Sequence, residues 1–215
     1  MKIAVITAIF GDMESPKPFA EQSVECDRIV ITPENSPYPL PNLPPRLQAK
    51  YFKLQAHNVW PQYDVFVWID GNIEVTSTDF VKKMTRPLHG EIAIQRHHER
   101  QTLKQEIDLI TASENPYLTV RYGKQPLRDE YDFYTSHGIA EDAPLFACNI
   151  FAYHVTTATK DFFDDWWRLV LRWSWFDQSA FSALAYKFPL VRIVNLGPMF
   201  DNQYFKLHSH DNWQQ

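Results

Sequence analysis

The chain has 215 residues, a length for one domain or one domain with a modest subdomain, and long enough to bury a core without disulfide or metal staples. Its 26 Asp and Glu outnumber 21 Lys and Arg for a net charge of −5, and with no basic run a nucleic-acid surface is excluded. No two of its six glycines lie closer than fifteen positions, which excludes a G-x-G-x-x-G fingerprint and a G-x-x-x-x-G-K-S/T phosphate loop.

Lys2 to Phe10, KIAVITAIF, is a near-continuous apolar run that predicts a strand buried on both faces. Its apolar stretch is too short for a signal peptide, and no segment approaches the ~20 apolar residues of a membrane span, so a cytoplasmic location is expected. Asp27 to Thr32, DRIVIT, predicts a second strand. Residues 33–45 hold six prolines in thirteen positions and predict an extended surface loop. Arg46 to Trp60 has helical spacing and stops at Pro61. Tyr63 to Ile69, YDVFVWI, is the strongest strand, ending at Asp70-Gly71-Asn72. A short strand and a helix around Phe80 to Met84 follow, then a strand over Glu91 to Gln95. Residues 97–142 are polar with helices over 99–113 and 116–123. Leu145 to His154 returns to strand, Thr157 to Trp175 and Asp177 to Tyr186 are helical, and Val191 to Val194 is a last strand. Strands alternating with helices predict an α/β fold with a mostly parallel sheet, whose ligands bind beyond the carboxyl ends of the strands. Cys26 and Cys148, far apart in apolar contexts, read as buried free thiols.

Asp70 stands where that rule puts chemistry. Asp70 and Asn72 present two oxygens at i and i+2, a pattern able to hold Mg²⁺ or Mn²⁺ with substrate phosphates, while Gly71 lets the backbone turn. Asp-Gly is also a common turn. Arg46 and Lys50, at i and i+4 with Lys53 and His57 near, make a face able to meet phosphate oxygens or simply a solvated basic face. In Gln95 to Arg100, His97 and His98 would point opposite ways on a strand and so not bind one metal together; the plainer reading is a polar loop with one satisfied histidine. Cys148-Asn149 lies at a strand edge, and Asp177-Gln178 opens a helix, as an N-cap or as a carboxylate able to orient or deprotonate an acceptor hydroxyl. His208 and His210 are candidate metal ligands from the tail.

The stretch PPRLQAKYFKLQAHNVWPQYDVFVWIDGNIEV resembles a glycosyltransferase-like family first defined as a domain of unknown function, with plant members linked to mucilage and cell-wall hexosyl transfer. The matching positions are Pro44, Pro45, Arg46, Lys50, His57, Pro61 and Trp68 to Gly71. KIAVITAIFGD, RHHERQTLKQE and WWRLVLRWSWFDQSAF are similar to that family's opening strand, its His-x-x-Arg segment and its late segment, with Trp175 and Phe176 where an Arg is usual. The resemblance implies a GT-A-type single domain over 1–215, with a nucleotide-sugar half over about 1–95 and an acceptor half over about 96–215. It implies a nucleotide-diphosphate sugar donor, UDP-linked by expectation, and a carbohydrate or glycoconjugate acceptor. Thr7 and Ala8 would lie under the nucleotide, Thr32 near its base, and Arg46 and Lys50 on the diphosphate. His97, Arg100, Asn149, Asp177 and Gln178 would face sugar and acceptor. Asp70, Asn72 and one of His208 or His210 would hold Mn²⁺ or Mg²⁺, although Asn72 replaces the second carboxylate of the usual Asp-x-Asp. The rival readings are a catalytically inactive nucleotide- or sugar-binding module and a metal-dependent phosphoester hydrolase.

Overall fold

The structure is a computed structural model that describes residues 1–11, 14–200 and 202–210. In chain order its elements are β1 (Ile3–Ala8), β2 (Asp27–Ile31), α1 (Pro45–Leu54), α2 (Ala56–Val59), β3 (Val65–Ile69), β4 (Ile73–Val75), α3 (Phe80–Thr85) and β5 (Ile92–Arg96). There follow α4 (Leu103–Ala112), α5 (Pro116–Tyr122), α6 (Leu127–Ser136), β6 (Phe146–His154), α7 (Thr157–Arg172), α8 (Asp177–Lys187), β7 (Val191–Ile193) and β8 (Phe205–Leu207).

Six strands form one sheet in the order β2-β1-β3-β6-β5-β7, and β4 pairs with β8 in a separate two-stranded ladder. β1 runs parallel to β2 and β3, β7 runs parallel to β5, and β6 alone is reversed, antiparallel to both β3 and β5. The sheet is thus mostly parallel, as the apolar runs predict. Every residue of β1 and β3 is buried, the condition under which a strand needs no polar alternation. Ala4, Ile6, Phe66 and Trp68 face a core shared with Phe52 of α1 and Phe163 and Trp166 of α7. Ile3, Val5, Val65 and Val67 face the other core, with Phe80 and Met84 of α3. No described helix is long and apolar enough to cross a membrane. Cys26 and Cys148 are free thiols; Cys148 is fully buried and Cys26 partly so.

The predicted helix over 46–60 breaks in two. Gln55 leaves helical geometry at φ −118° and ψ 19°, which turns the buried His57 towards the hydroxyl of Tyr153, 3.3 Å from its Nδ1. The sequence groups His57 with Arg46 and Lys50; the break takes it into the core instead. Pro45 opens α1 at a position where its missing N–H removes no bond, one residue earlier than the proline loop was expected to end. No helix or strand forms over 32–44, in keeping with the prolines.

A buried carboxyl sits among α6, α7 and α8. Glu130 accepts from the hydroxyl of Tyr134 at 2.8 Å and from those of Ser174 and Ser179. Burial raises its pKa from 4.5 to about 7, against the opposing pull of those three hydroxyls. The folded protein therefore keeps a proton that the unfolded chain loses. That contribution, about 3 kcal/mol, is complete below pH 4.5 and is lost as pH rises through 7. Urea unfolding of wild type and Glu130→Gln between pH 4 and 8 should show the wild type losing roughly this much relative to the variant; parallel profiles would refute it.

Candidate active site

Strand direction explains why the site forms where it does. β1, β3 and β5 all point their carboxyl ends at one edge of the sheet, and the reversed β6 starts there. Ala8, Asp70 and His97 therefore emerge beside Phe146–Asn149, and Asp70 donates its backbone N–H to the carbonyl of Asn149 at 2.9 Å. A cleft of about 980 Å³ opens at this edge. Among the described residues six Lys and Arg line it against four Asp and Glu, the reverse of the chain's overall acidic balance.

Its floor is a chain of alternating charges. Asp177, at the first turn of α8, is 8% exposed and pairs with Lys50 and Lys53 of α1, each at 2.8 Å. Lys53 also lies 3.3 Å from Asp70 Oδ1, which accepts from Trp68 Nε1 at 2.6 Å. The Lys53 ammonium is 5.4 Å from the centroid of the Trp68 ring. Burial alone would protonate Asp177, but Lys50 and Lys53 overcome it and hold the carboxyl well below the usual range. Burial lowers Lys50 to about 8, with Asp177 opposing and Lys53 adding to the drop. Burial also opposes the charge of Lys53, but Asp177 and Asp70 together keep it above the ordinary lysine range. Sequence spacing alone finds Lys53, seven positions past Arg46 on the same helix; its two carboxylate contacts are visible only in the fold.

One wall carries His97, Arg100 and Glu106. Because β5 ends at Arg96, strand alternation no longer governs His97 and His98. Their rings stack at 4.9 Å and both line the cleft, contrary to the expected opposition. His97 Nδ1 accepts the backbone N–H of Arg100 at 3.2 Å, and burial, with Arg100 and His98 beside it, lowers its pKa to about 4. Arg100 pairs with Glu106 and Glu99, and the capping box of Thr102 with Gln105 fixes α4 directly behind them.

The opposite wall is built from α5 and the C-terminal segment. Arg121 donates to the hydroxyls of Tyr117 at 2.7 Å and Tyr122 at 3.1 Å, and its carbonyl accepts from Arg46 at 3.1 Å. His210 stacks on Tyr117 at 5.9 Å and pairs through Nδ1 with Glu14. Sequence reasoning gave no role to Arg121, Tyr117 or Glu14. No apolar stripe or helical spacing ties them to the strand ends, and only the tertiary fold brings them in. The expected turn forms, closed by the N–H of Ile73 donating to the carbonyl of Asp70 at 3.1 Å, and Gly71 makes it without a positive φ. A Cβ there would come within 3.1 Å of Ile9 and 3.2 Å of Glu14, so the glycine serves close approach.

The cleft thus gathers Ala8, Arg46, Lys50, Asp70, Asn72, His97, Arg100, Asn149, Asp177, Gln178 and His210. Three expected residues lie outside its lining. Thr7 is buried within β1, Thr32 donates its N–H to Asn35 at the end of β2, and His208 pairs with Glu74 at 2.8 Å across the β4–β8 ladder. Of the two tail histidines only His210 reaches the cleft. Trp60 packs on Phe52 at 6.0 Å without lining the cleft, while Trp175, expected to end the helix over 157–175, lies past α7 and does line it.

The strand order with one reversed strand, and a cleft at the carboxyl edge, define a GT-A-type α/β fold. No protein-family model matches the chain, and no curated protein matches it in sequence. Among solved structures it is similar to the WbbM bifunctional glycosyltransferase in its apo form, at 10% identity over 90% of this chain and a TM-score of 0.52. The chain spans 39% of that protein. The apo form of mouse xyloside xylosyltransferase 1 aligns over 91% of this chain and 86% of its own at 10% identity, with a TM-score of 0.47.

Proposed function

We propose that this chain is a glycosyltransferase moving a hexose from a nucleotide-diphosphate sugar, UDP-linked, to a carbohydrate or glycoconjugate acceptor. The observation that carries the reading is the excess of cationic side chains in a strand-end cleft of a GT-A-type fold whose chain is otherwise acidic. Cleavage of the anomeric C–O bond leaves its electron pair on the nucleoside diphosphate, and fixed cations at that position stabilise the growing charge. Lys50, Lys53 and Arg46 fit this task. Asn149 and Gln178, with His97 and Arg100 on the facing wall, are the polar groups available to sugar and acceptor. Asp177 is given the work of fixing the two lysines. A carboxylate stabilised by two ammonium groups holds a proton weakly and makes a poor general base at neutral pH.

A divalent cation belongs to the same proposal. Asn72 donates its Nδ2 to the carbonyl of His208 at 2.9 Å, which leaves its amide oxygen free to ligate, and the bonds to Trp68 and Lys53 occupy Oδ1 of Asp70 and not Oδ2. Among the described residues no three His, Cys, Asp or Glu side chains form a metal-binding group. Asp70 and Asn72 would hold Mn²⁺ or Mg²⁺, which would supply further stabilisation of the charge that grows on the diphosphate. The same observation gives a hydrolase with a protein-built metal centre no support.

Thermal-shift and turnover measurements with a panel of nucleotide sugars, with and without Mn²⁺, test the reading. A raised melting temperature together with release of free nucleotide diphosphate is expected. Binding without turnover would favour the inactive binding module, for which Asn72 in place of a carboxylate speaks. No response to any nucleotide would overturn both.

A further inference from the structure

We propose that Arg121 of α5 and Arg46 of α1 form a two-guanidinium clamp for the donor's diphosphate, and that this clamp makes the cleft prefer nucleoside diphosphates to monophosphates. The inference rests on the glycosyltransferase reading and goes beyond it by adding a residue and a selectivity. Besides Arg100 and Lys124, the cations that line the cleft fall into two centres, and these are compensated differently. Lys50 and Lys53 are matched by Asp177 and Asp70. Among the described residues Arg46 and Arg121 pair with no carboxylate. Their partners are a backbone carbonyl, the hydroxyls of Tyr117 and Tyr122, an imidazole nitrogen of His210 and aromatic faces.

Arg121 is second only to burial among the influences that lower the pKa of Arg46, while Tyr122 and Tyr117 outweigh burial and hold Arg121 above its ordinary value. Two like charges held together, partly out of water and, among the described residues, paired with no acid, make a site for a multiply charged anion. The hydrogen bonds that Arg121 donates to the hydroxyls of Tyr117 and Tyr122 fix the plane of a guanidinium that has to meet phosphate oxygens in a set direction. The clamp also adjoins the floor, because Arg46 feels the charge of Asp177 and Arg121 that of Asp70. A ligand with two linked phosphates suits two adjoining centres, and a monophosphate would satisfy one.

α5 buries none of its residues, so Arg121 can be changed without opening the core. Calorimetric titration of UDP, UMP and uridine into wild type, Arg121→Ala and Arg121→Lys tests the clamp, with melting temperature as the fold control. Arg121→Ala should weaken UDP binding about 10- to 100-fold, leave uridine unchanged and narrow the preference for UDP over UMP. Arg121→Lys should recover part of the loss. UDP binding by Arg121→Ala at the wild-type affinity would overturn the clamp while leaving the glycosyltransferase reading intact. If UDP affinity is unchanged and only turnover of an acidic acceptor falls, the pair belongs to the acceptor and the clamp is again overturned. A wild-type protein that binds none of the three ligands removes the reading on which the clamp rests.

Discussion

Asp177→Ala is expected to lower the melting temperature by on the order of 10 °C and to abolish turnover. The change leaves Lys50 and Lys53, buried within an ion pair's length of the missing carboxylate, without their shared counter-charge. Removing one partner of a buried ion pair is worth about 3–5 kcal/mol, far more than the pair itself contributes, because the remaining charge has no water to return to. Lys53 keeps Asp70 at 3.3 Å, whereas among the described residues Lys50 is left with no carboxylate in ion-pair contact, so Lys50 carries the larger penalty. Adding Lys50→Met to Asp177→Ala should restore much of the melting temperature and none of the activity. A thermal-denaturation cycle of the two single variants and the double variant reads the coupling directly. Additive effects would show that the three side chains do not act as a unit.

Asp70→Asn separates activity from stability. Asp70 has a side chain 38% exposed and stands past the end of β3, so its loss leaves no void in the core. The amide can still accept from Trp68 Nε1 through its oxygen, so the melting temperature should stay within about 2 °C of wild type. Turnover is expected to fall by about 10²- to 10³-fold, the range for one group that stabilises charge in a transition state. The variant withdraws a negative charge from Lys53 and from any cation bridging to the diphosphate. Nucleotide-sugar turnover measured across a Mn²⁺ series checks this, and a variant with wild-type kcat would remove Asp70 from the site.

The β3 and α1 side of the cleft was legible where one element carries its own signal. YDVFVWI reads as a strand because all five residues of β3 are buried, and an Asp directly after such a strand can only emerge at the sheet edge. Arg46 and Lys50 share a helical face whatever that helix packs on. The rest of the molecule depends on contacts that local patterns do not record. In α6, Leu127, Tyr131 and Tyr134 form a buried stripe at helical spacing, but Glu130 lies within it and makes the segment read as polar. Only Ser174 and Ser179, more than forty positions away, make a buried acid there intelligible. β8 is three residues long and has no strand signal apart from its partner β4. The break at Gln55 has no proline or glycine to mark it.

The β4–β8 ladder also has a consequence for the order in which the molecule is made. Glu14 meets His210 across 196 positions, and Ile73 pairs with Leu207. Contacts so distant along the chain form late, and folds that depend on them condense over milliseconds to seconds where helical bundles take microseconds to milliseconds. During synthesis β1, β3 and their neighbouring lysines can assemble long before residues 205–210 emerge. Until those residues arrive, β4 lacks its β8 partner and the α5 wall of the cleft is incomplete. A nascent chain at this stage is most exposed to association with its own copies, edge to edge.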